Sequence, residues 1–220
     1  MNRKPGNRGR RMPLTVAQTG MWFSQELDTE NPIYRAAEYV DIHGPVDLAL
    51  LDAAVRHTVA GVDTVRVRFE TDADGGVWQV PDLADDWALP VVDLRGPGDP
   101  WARAEEWMWA DLREPVDLRR SPLFSFAVLR LPDDHCVLYM ALHHIVLDGY
   151  GFSLFIQRIA EVYTALEEGR DIPPCRLNTL AELLADEAAY HASERFTRDR
   201  AFWAERFAGR ATDTDLASRL

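Results

Sequence analysis

Cysteine is scarce in this chain of 220 residues, which contains only Cys136 and Cys175. Two cysteines cannot form the disulfide scaffold of a small secreted domain, so the composition favours a reducing compartment and predicts a cytoplasmic protein. Long apolar runs are also missing, because no stretch approaches the roughly 18 uninterrupted apolar residues of a membrane-spanning helix. We therefore expect no membrane partner.

Positive charge is in short supply too. The chain has 24 Lys and Arg against 36 Asp and Glu, which gives a net charge of −12. Wrapping nucleic acid requires a basic footprint, so no nucleic-acid partner is expected. The glycine-rich phosphate-binding patterns GxGxxG and GxxxxGK[ST] are absent as well, and nothing predicts a bound nucleotide. The 47% hydrophobic and 27% charged residues are ordinary globular values, sufficient for a core.

The first residues differ in composition from the rest. Residues 1–11 hold five cations and no acid, and no apolar segment of the kind found in signal peptides follows them. A basic patch for nucleic acid or lipid is the less favoured interpretation. We predict that residues 1–13 form a basic, disordered leader and that residues 14–220 form the folded domain.

Hydrophobic periodicity predicts a mixed succession of helices and strands. Strands lack the regular βαβ rhythm of a Rossmann sheet, so we predict an α/β layered sandwich. The predicted helices cover residues 15–27, a segment from 46 onward, 101–112, 152–166, 180–192 and 198–207. The predicted strands cover residues 34–43, 65–69, 77–80, 90–94, 123–131 and 135–142.

The most informative segment is an apolar strand that ends in His143-His144 and is followed by Asp148-Gly149 before a long helix. Three interpretations compete. A histidine beside a core strand is commonly structural. A zinc site is disfavoured, because adjacent strand residues point to opposite faces and no paired-cysteine or HExxH spacing helps them, so no metal site is predicted. The third interpretation is acyl transfer, in which one imidazole positions or deprotonates an attacking amine or hydroxyl near neutral pH.

Three motifs in a fixed order resemble one enzyme family. His143-His144-Ile145-Val146-Leu147-Asp148-Gly149 resembles the HHxxxDG signature of nonribosomal peptide synthetase condensation domains, and of related chloramphenicol-acetyltransferase-like acyltransferases. Ala17-Gln18 with Met21-Trp22 resembles the family's first motif, and residues 65–69 resemble its LRxRF strand. The variations Thr15, Gly20 and Asp63 resemble the first condensation domain of catecholate siderophore synthetases of the enterobactin and bacillibactin type.

The resemblance implies a chloramphenicol-acetyltransferase-like two-layer sandwich that forms the N-terminal lobe of a two-lobed domain. The implied reaction forms an amide between an acyl thioester and the amine of an aminoacyl group, and the likeness to siderophore synthetases suggests an aryl group as the acyl donor. His144 is implied to position or deprotonate the amine, and His143 to be structural. Asp148 is implied to brace the loop through an ion pair with Arg66 or Arg68, with Arg66 favoured.

Further implications concern Gly149 and the partners. The Gly149 backbone N–H is placed near the developing oxyanion. The implied enzyme binds no cofactor directly, since both substrates ride on the phosphopantetheine of an acyl or aryl carrier protein and a peptidyl carrier protein. The C-terminal lobe and an adenylation domain of the parent synthetase are further implied partners, and the lone lobe is expected to be inactive.

Two alternatives remain open at this point. One is a free-standing acyltransferase that builds its active site between the subunits of a trimer. The other is a non-catalytic module that only docks carrier proteins and retains the motif as a relic.

Overall fold

A computed structural model describes residues 11–82 and 87–209 of the chain. The chain divides into two compact units, one that extends to Leu180 and one that begins at Ala181. The strands are β1 Met12–Pro13, β2 Arg35–His43, β3 Val67–Thr71, β4 Val77–Pro81, β5 Val91–Asp93, β6 Phe124–Leu131 and β7 His135–His143. The helices are α1 Val16–Leu27, α2 Leu48–Gly61, α3 Pro100–Leu112, α4 Gly149–Glu167, α5 Leu180–His191 and α6 Glu194–Phe207.

The larger sheet has the strand order β2-β7-β6-β5. Strand β7 pairs antiparallel with both neighbours, whereas β5 and β6 are parallel. From Cys136 to His143 every residue of β7 is buried, which explains why this strand reads as a continuous apolar run rather than an alternating one. The sheet therefore carries the histidine motif at the end of its most protected strand.

Helices cover this sheet on both faces. Ala104 and Met108 of α3 pack on alternate residues of β6 and β7, with Tyr139 at the centre of the cluster. On the other face Phe126 meets Phe155 of α4 at a ring distance of 5.8 Å, and α2 packs against α4. Because alternate residues of a strand point to opposite faces, β6 and β7 contribute side chains to the apolar core on each side of the sheet.

The smaller sheet has the order β1-β4-β3 and contains the predicted hairpin, with β3 and β4 joined by a turn at residues 72–76. It connects two of the sequence motifs, because the buried ring of Trp22 on α1 lies 5.8 Å from that of Phe69 on β3. The guanidinium of Arg119 lies over the other side of Trp22, at 5.0 Å from the ring centroid.

The predicted elements are found, with shifts at their ends. Thr15 caps α1 as expected, in a reciprocal capping box with Gln18. The strand predicted from Val65 begins two residues later, because residues 63–65 form a 3₁₀ turn. The helix predicted from Phe152 begins at Gly149, since the Asp148 side chain caps it.

The expected boundary of the leader is wrong at its C-terminal end. Met12 and Pro13 form strand β1, paired with Gln79 and Trp78 of β4, and Met12 is buried. The cations that suggested disorder all lie in residues 1–11. Met12 is apolar, and Pro13 suits a strand at the edge of a sheet. Residues 1–10 lie outside the described part of the chain.

The second unit contains α5 and α6. Helix α6 begins at a Ser193 cap whose side chain accepts from the Phe196 backbone N–H. In the described residues no helix of either unit is both long and apolar enough to cross a membrane.

One buried ion pair joins α3 to the larger sheet. Arg35 of β2 contacts Asp111 of α3 at 2.6 Å, with only 5% of the arginine side chain exposed. The same carboxylate accepts from the hydroxyl of Ser125 at 2.6 Å and that of Tyr139 at 2.9 Å. Burial and the Asp111 hydrogen bond raise the pKa of Tyr139. Asp111 therefore links one helix to three strands.

Replacing Asp111 should lower the free energy of unfolding more than replacing one of its neutral partners. In Asp111→Asn the guanidinium of Arg35 stays buried without a counter-charge, so we expect a loss of about 3 kcal/mol in the free energy of unfolding. Ser125→Ala is the matched control and should cost about 1 kcal/mol. Urea denaturation of both variants checks this, and equal losses would show that the charge pair is not what matters.

Candidate functional site

The histidine motif occupies the connection between β7 and α4. The His143 backbone N–H donates to the Leu123 carbonyl at 2.9 Å, which continues the pairing of β7 with the β6 side. The next backbone N–H, that of His144, turns to the opposite neighbour and donates to the Tyr34 carbonyl at 2.7 Å. The two histidines are therefore held from opposite sides, and a tight turn closed by Val146 N–H on the His143 carbonyl follows.

His143 is buried, and both of its ring nitrogens have hydrogen-bond partners. Its side chain is 2% exposed and contacts the Oε1 atom of Gln25 through Nε2 at 3.1 Å. Its Nδ1 atom accepts from the Ile145 backbone N–H at 3.2 Å, which assigns the proton to Nε2. Burial, the neighbouring His144 and the Arg35 charge lower the pKa of His143 to about 4. The imidazole is thus neutral at physiological pH and fixes the loop.

The Gln25 amide that meets His143 is itself fixed. Its Nε2 atom donates to the carbonyls of Asp28 at 2.8 Å and Asn31 at 3.0 Å, so only its oxygen is available to the histidine. Gln25 was not singled out in the sequence. The signal that exposes it is a polar residue on the apolar side of α1, three positions after Trp22.

A second pair of buried amides anchors the other end of the loop. Gln18 of the first motif donates through Nε2 to the Ile145 carbonyl at 3.1 Å and to Gln79 of β4 at 3.2 Å. Gln79 donates in turn to the Pro13 carbonyl at 2.7 Å. The first motif's glutamine is therefore a positioning residue for the histidine loop, and Gln79 is the partner that sequence reasoning missed.

His144 differs from His143 in what its ring meets. Its side chain is half-buried, and its Nδ1 atom is buried without a hydrogen-bond partner among residues 11–82 and 87–209. A partly exposed imidazole can meet a bound group and exchange a proton with it, whereas the buried ring of His143 has both of its nitrogens occupied. Of the two adjacent histidines, only His144 has this chemical capacity.

Asp148 has a different partner from the one expected. Its Oδ1 atom accepts from the Gly151 backbone N–H at 2.7 Å and so caps α4. The ion pairs of Arg68 go to Glu70 at 2.9 Å and Asp82 at 2.7 Å, and Arg66 donates to the Ala60 carbonyl at 3.2 Å.

The predicted ion pair between Asp148 and Arg68 is therefore wrong, because Arg68 lies between two nearer carboxylates. The pairing of Asp148 with Arg66, which the sequence favours, stays a prediction. Asp148 still braces the loop, but as a helix cap, since a carboxylate at a helix N-terminus satisfies N–H groups that have no partner inside the helix.

Gly149 borders open space. A Cβ atom placed there would meet no atom within 4 Å, so nothing in this chain requires a glycine at this position. The crowded glycine is Gly151, where a Cβ would lie 3.1 Å from Leu147 Cδ2 and 3.2 Å from Asp148 Oδ1. The absence of a side chain at Gly149 leaves its N–H, at the first turn of α4, accessible to a bound group.

One cavity of the described structure lies close to the site without including the predicted site residues in its wall. A cavity of about 350 Å³ lies between α1 and residues 115–119, and its wall includes Gln25. It borders the partner of His143, but His144, Asp148 and Gly149 are not among its lining residues. Asp148, Gly149 and Tyr150 are exposed instead, so this part of the loop faces outward.

The geometry agrees with comparisons to known proteins. Residues 9–219 match the family model of the condensation domain. The chain belongs to the condensation-domain family. A 44% identical relative is the isonitrile lipopeptide synthase of Streptomyces coeruleorubidus, matched over 95% of this chain and 14% of the relative. Enterobactin synthase component F of Escherichia coli is 36% identical over 88% of this chain and 15% of its own length.

A solved relative confirms the fold. A variant of the starter condensation domain of rhizomide synthetase, in complex with C8-CoA, superposes with a TM-score of 0.88 at 37% identity. The match covers 95% of this chain and 48% of that one. The predicted chloramphenicol-acetyltransferase-like fold and the resemblance to condensation domains are thus confirmed, and a siderophore synthetase is among the relatives. The chain spans about half of the solved relative and a small part of the synthetases.

The neutral state of His143 predicts a pH dependence of stability. Its pKa is near 6.5 in the unfolded chain and about 4 in the folded one. Between these values the unfolded state binds the extra proton, so stability falls as pH is lowered from about 6.5 to about 4, by up to about 3 kcal/mol. The variant His143→Gln lacks this contribution. As pH is lowered from about 6.5 to about 4, the wild type should lose its stability advantage, so the difference in unfolding free energy between wild type and variant should become smaller.

Urea denaturation across this pH range measures the effect. His191→Ala, which removes an exposed histidine of α5, is the control and should follow the wild-type profile. A His143→Gln curve parallel to that of the wild type would contradict a neutral, buried His143.

Proposed function

We propose that this chain is the N-terminal lobe of a condensation domain that forms an amide between two carrier-bound substrates. The observation that carries the proposal is the partly exposed imidazole of His144, on a loop held between the buried strand β7 and the capped helix α4. Membership of the condensation-domain family supports the reaction class. The structures of relatives with a CoA thioester analogue are consistent with an acyl thioester donor.

The reaction joins an amine to a thioester. The amine nitrogen of the acceptor attacks the thioester carbonyl carbon, the C–N bond forms, and the C–S bond breaks to release the donor carrier's thiol. The amine loses one proton and the departing sulfur gains one, so His144 acts by holding or transferring that proton. No covalent bond to the protein is required. Positioning two tethered substrates supplies a large share of the rate, since effective molarities reach about 10⁵ M or more.

The neighbours of His144 have supporting roles in this proposal. His143, neutral and bound through both nitrogens, keeps the backbone of the loop in place. Asp148 holds the start of α4 by accepting a hydrogen bond from the Gly151 backbone N–H. We assign to the Gly149 N–H the stabilisation of the developing oxyanion, a role in which donors fixed in advance are most effective, and a Cβ added at this position would meet no atom of the chain.

The proposed active form needs a second lobe. The chain covers 48% of the solved relative, and residues 148–150 at the end of the histidine loop are exposed to solvent. Large apolar side chains are exposed on α1 and next to the loop, including Phe23 at 61%, Leu27 at 89% and Tyr150 at 75%. Such exposure is typical of surfaces that meet another protein surface. We assign that surface to the C-terminal lobe, with carrier proteins and an adenylation domain as further partners.

The donor is proposed to be an acyl group on the phosphopantetheine of a carrier, with no cofactor bound by the lobe itself. One relative is named for enterobactin synthesis and another for an isonitrile lipopeptide. These names favour an aryl and an aliphatic donor respectively, so both classes belong in the assay.

Replacement of His144 should abolish condensation while leaving the fold intact. The assay mixes donor carriers loaded with an aryl or aliphatic acyl group, an aminoacyl-loaded acceptor carrier, and the chain together with a condensation-domain C-terminal lobe. Intact mass spectrometry should show the acceptor carrier gaining the mass of the acyl group. In His144→Ala the rate should fall by about 10²-fold or more, as for loss of a proton-transfer group.

The outcomes separate three possibilities. His191→Ala is the control and should retain the wild-type rate. A mass gain that survives His144→Ala would show that positioning of the substrates is sufficient. Binding of carriers without a mass gain for either donor class would favour the docking module, and a three-subunit mass with activity toward free acyl donors would favour the trimeric acyltransferase.

Gly149 offers a test that separates function from stability. A methyl group at Gly149 meets no atom of this chain, and alanine favours helices over glycine by about 1 kcal/mol. We therefore expect the melting temperature of Gly149→Ala to be unchanged or higher while condensation slows by at least about tenfold, because the methyl occupies space that the substrate needs. Thermal denaturation and the mass assay measure the two effects, and full activity would argue against substrate at Gly149.

A further inference from the structure

A second group of titratable side chains lies far from the histidine loop. Asp41 and His43 are two residues apart on β2 and therefore share a face of the sheet. His135, the first residue of β7, is the direct cross-strand partner of His43. One ligand atom of each residue lies within 4.8 Å of those of the other two. We call Asp41, His43 and His135 the strand-end cluster.

The side chains of the strand-end cluster converge. His135 Nε2 lies 2.5 Å from Asp41 Oδ1, and His43 Nε2 lies 3.1 Å from Asp41 Oδ2. The two imidazoles stack with centroids 4.1 Å apart. Each ring thus directs its Nε2 atom toward the Asp41 carboxylate, and each ring contacts a different carboxylate oxygen.

The ring of His135 is held from the α3 side. The indole of Trp101 lies parallel to it within 8°, at a centroid distance of 6.4 Å. Tyr39, on the same face of β2, contacts Trp101 edge-on at 5.7 Å. By contrast the His43 side chain is 70% exposed and can rotate. The cluster therefore combines two positioned ligands with one adaptable ligand, and it is open to solvent.

We propose that the strand-end cluster is a binding site for a divalent transition-metal ion of the zinc type. Two imidazoles and one carboxylate are a ligand set that zinc takes in proteins, with water in the fourth position. Ligands at about 2.0–2.1 Å in a tetrahedron lie about 3.3 Å apart, so small side-chain rotations convert the present separations into a ligand shell. Imidazole ligands favour Zn²⁺, Ni²⁺ and Cu²⁺ over Mg²⁺ and Ca²⁺.

The site is separate from the histidine motif. His135 and His143 are the two ends of β7, eight residues apart, which corresponds to about 26 Å at the rise of a strand. A metal ion at the cluster therefore takes no part in acyl transfer. It bridges β2 and β7 and so stabilises the edge of the larger sheet.

Isothermal titration of ZnCl₂ into the intact chain, in a buffer that does not bind zinc, tests the proposal. We expect one zinc ion per chain and no heat of binding with MgCl₂. His43→Ala, His135→Ala and Asp41→Asn should each weaken zinc binding by at least about tenfold, since even partners that only touch a ligand are worth 10–100-fold. His191→Ala, which removes an exposed histidine elsewhere, should leave the affinity unchanged.

A second measurement identifies the ligands independently. Co²⁺ should give the intense visible absorption of a four-coordinate site in the wild type, and His43→Ala should abolish it. The exposed position of His43 means that this variant should fold normally, which circular dichroism verifies. Zinc binding equal in wild type, His43→Ala and His135→Ala would overturn the proposal, as would a stoichiometry of zero.

Discussion

The buried imidazole of His143 is the interaction on which the rest of the site depends. Taking it out of water keeps it neutral, with its pKa near 4, and a neutral imidazole has one donor and one acceptor nitrogen. The donor meets Gln25 of α1, and the acceptor meets the backbone of its own loop. A protonated ring could not accept from Ile145. The loop geometry, and with it the presentation of His144, therefore requires an uncharged neighbour.

Helix α3 contacts one face of the larger sheet along its whole length, through different kinds of side chain at its two ends. Its last turn carries Asp111, which pairs with Arg35 near the end of β7 that bears His143. Its first turn carries Trp101, which stacks on His135 at the other end of the same strand. Between them lies the apolar cluster around Tyr139. Along α3, this face of the sheet therefore carries a buried ion pair, then an apolar core, and then the strand-end cluster, which is open to solvent.

The sequence predicted the elements well because their signals are local. The helix predicted over residues 15–27 and the strands predicted over 123–131 and 135–142 rest on local patterns, and each was found. The separate characters of the two histidines were also predicted, and the structure shows a buried His143 beside a half-buried His144. The family resemblance then placed the motifs in one fold, which the solved relative supports.

What the sequence missed depends on contacts between distant segments. The sequence did not show that Asp148 caps its own helix, or that Arg68 pairs with Glu70 and Asp82. His135 and Asp41 lie 94 residues apart, so no spacing connects them until β2 and β7 pair. Strand β1 was also missed, because two residues are too few for a periodic pattern.

The amide pair of Gln18 and Gln79 has a consequence for the folding of the histidine loop. It joins the helix that follows Thr15, the far strand of a hairpin and the carbonyl of Ile145, segments separated by 61 and 127 residues. Contacts at such separations form only after the intervening chain has been ordered. Backbone amides of the histidine loop should therefore gain protection from hydrogen exchange together with those of the β3–β4 hairpin, as a single cooperative unit of folding.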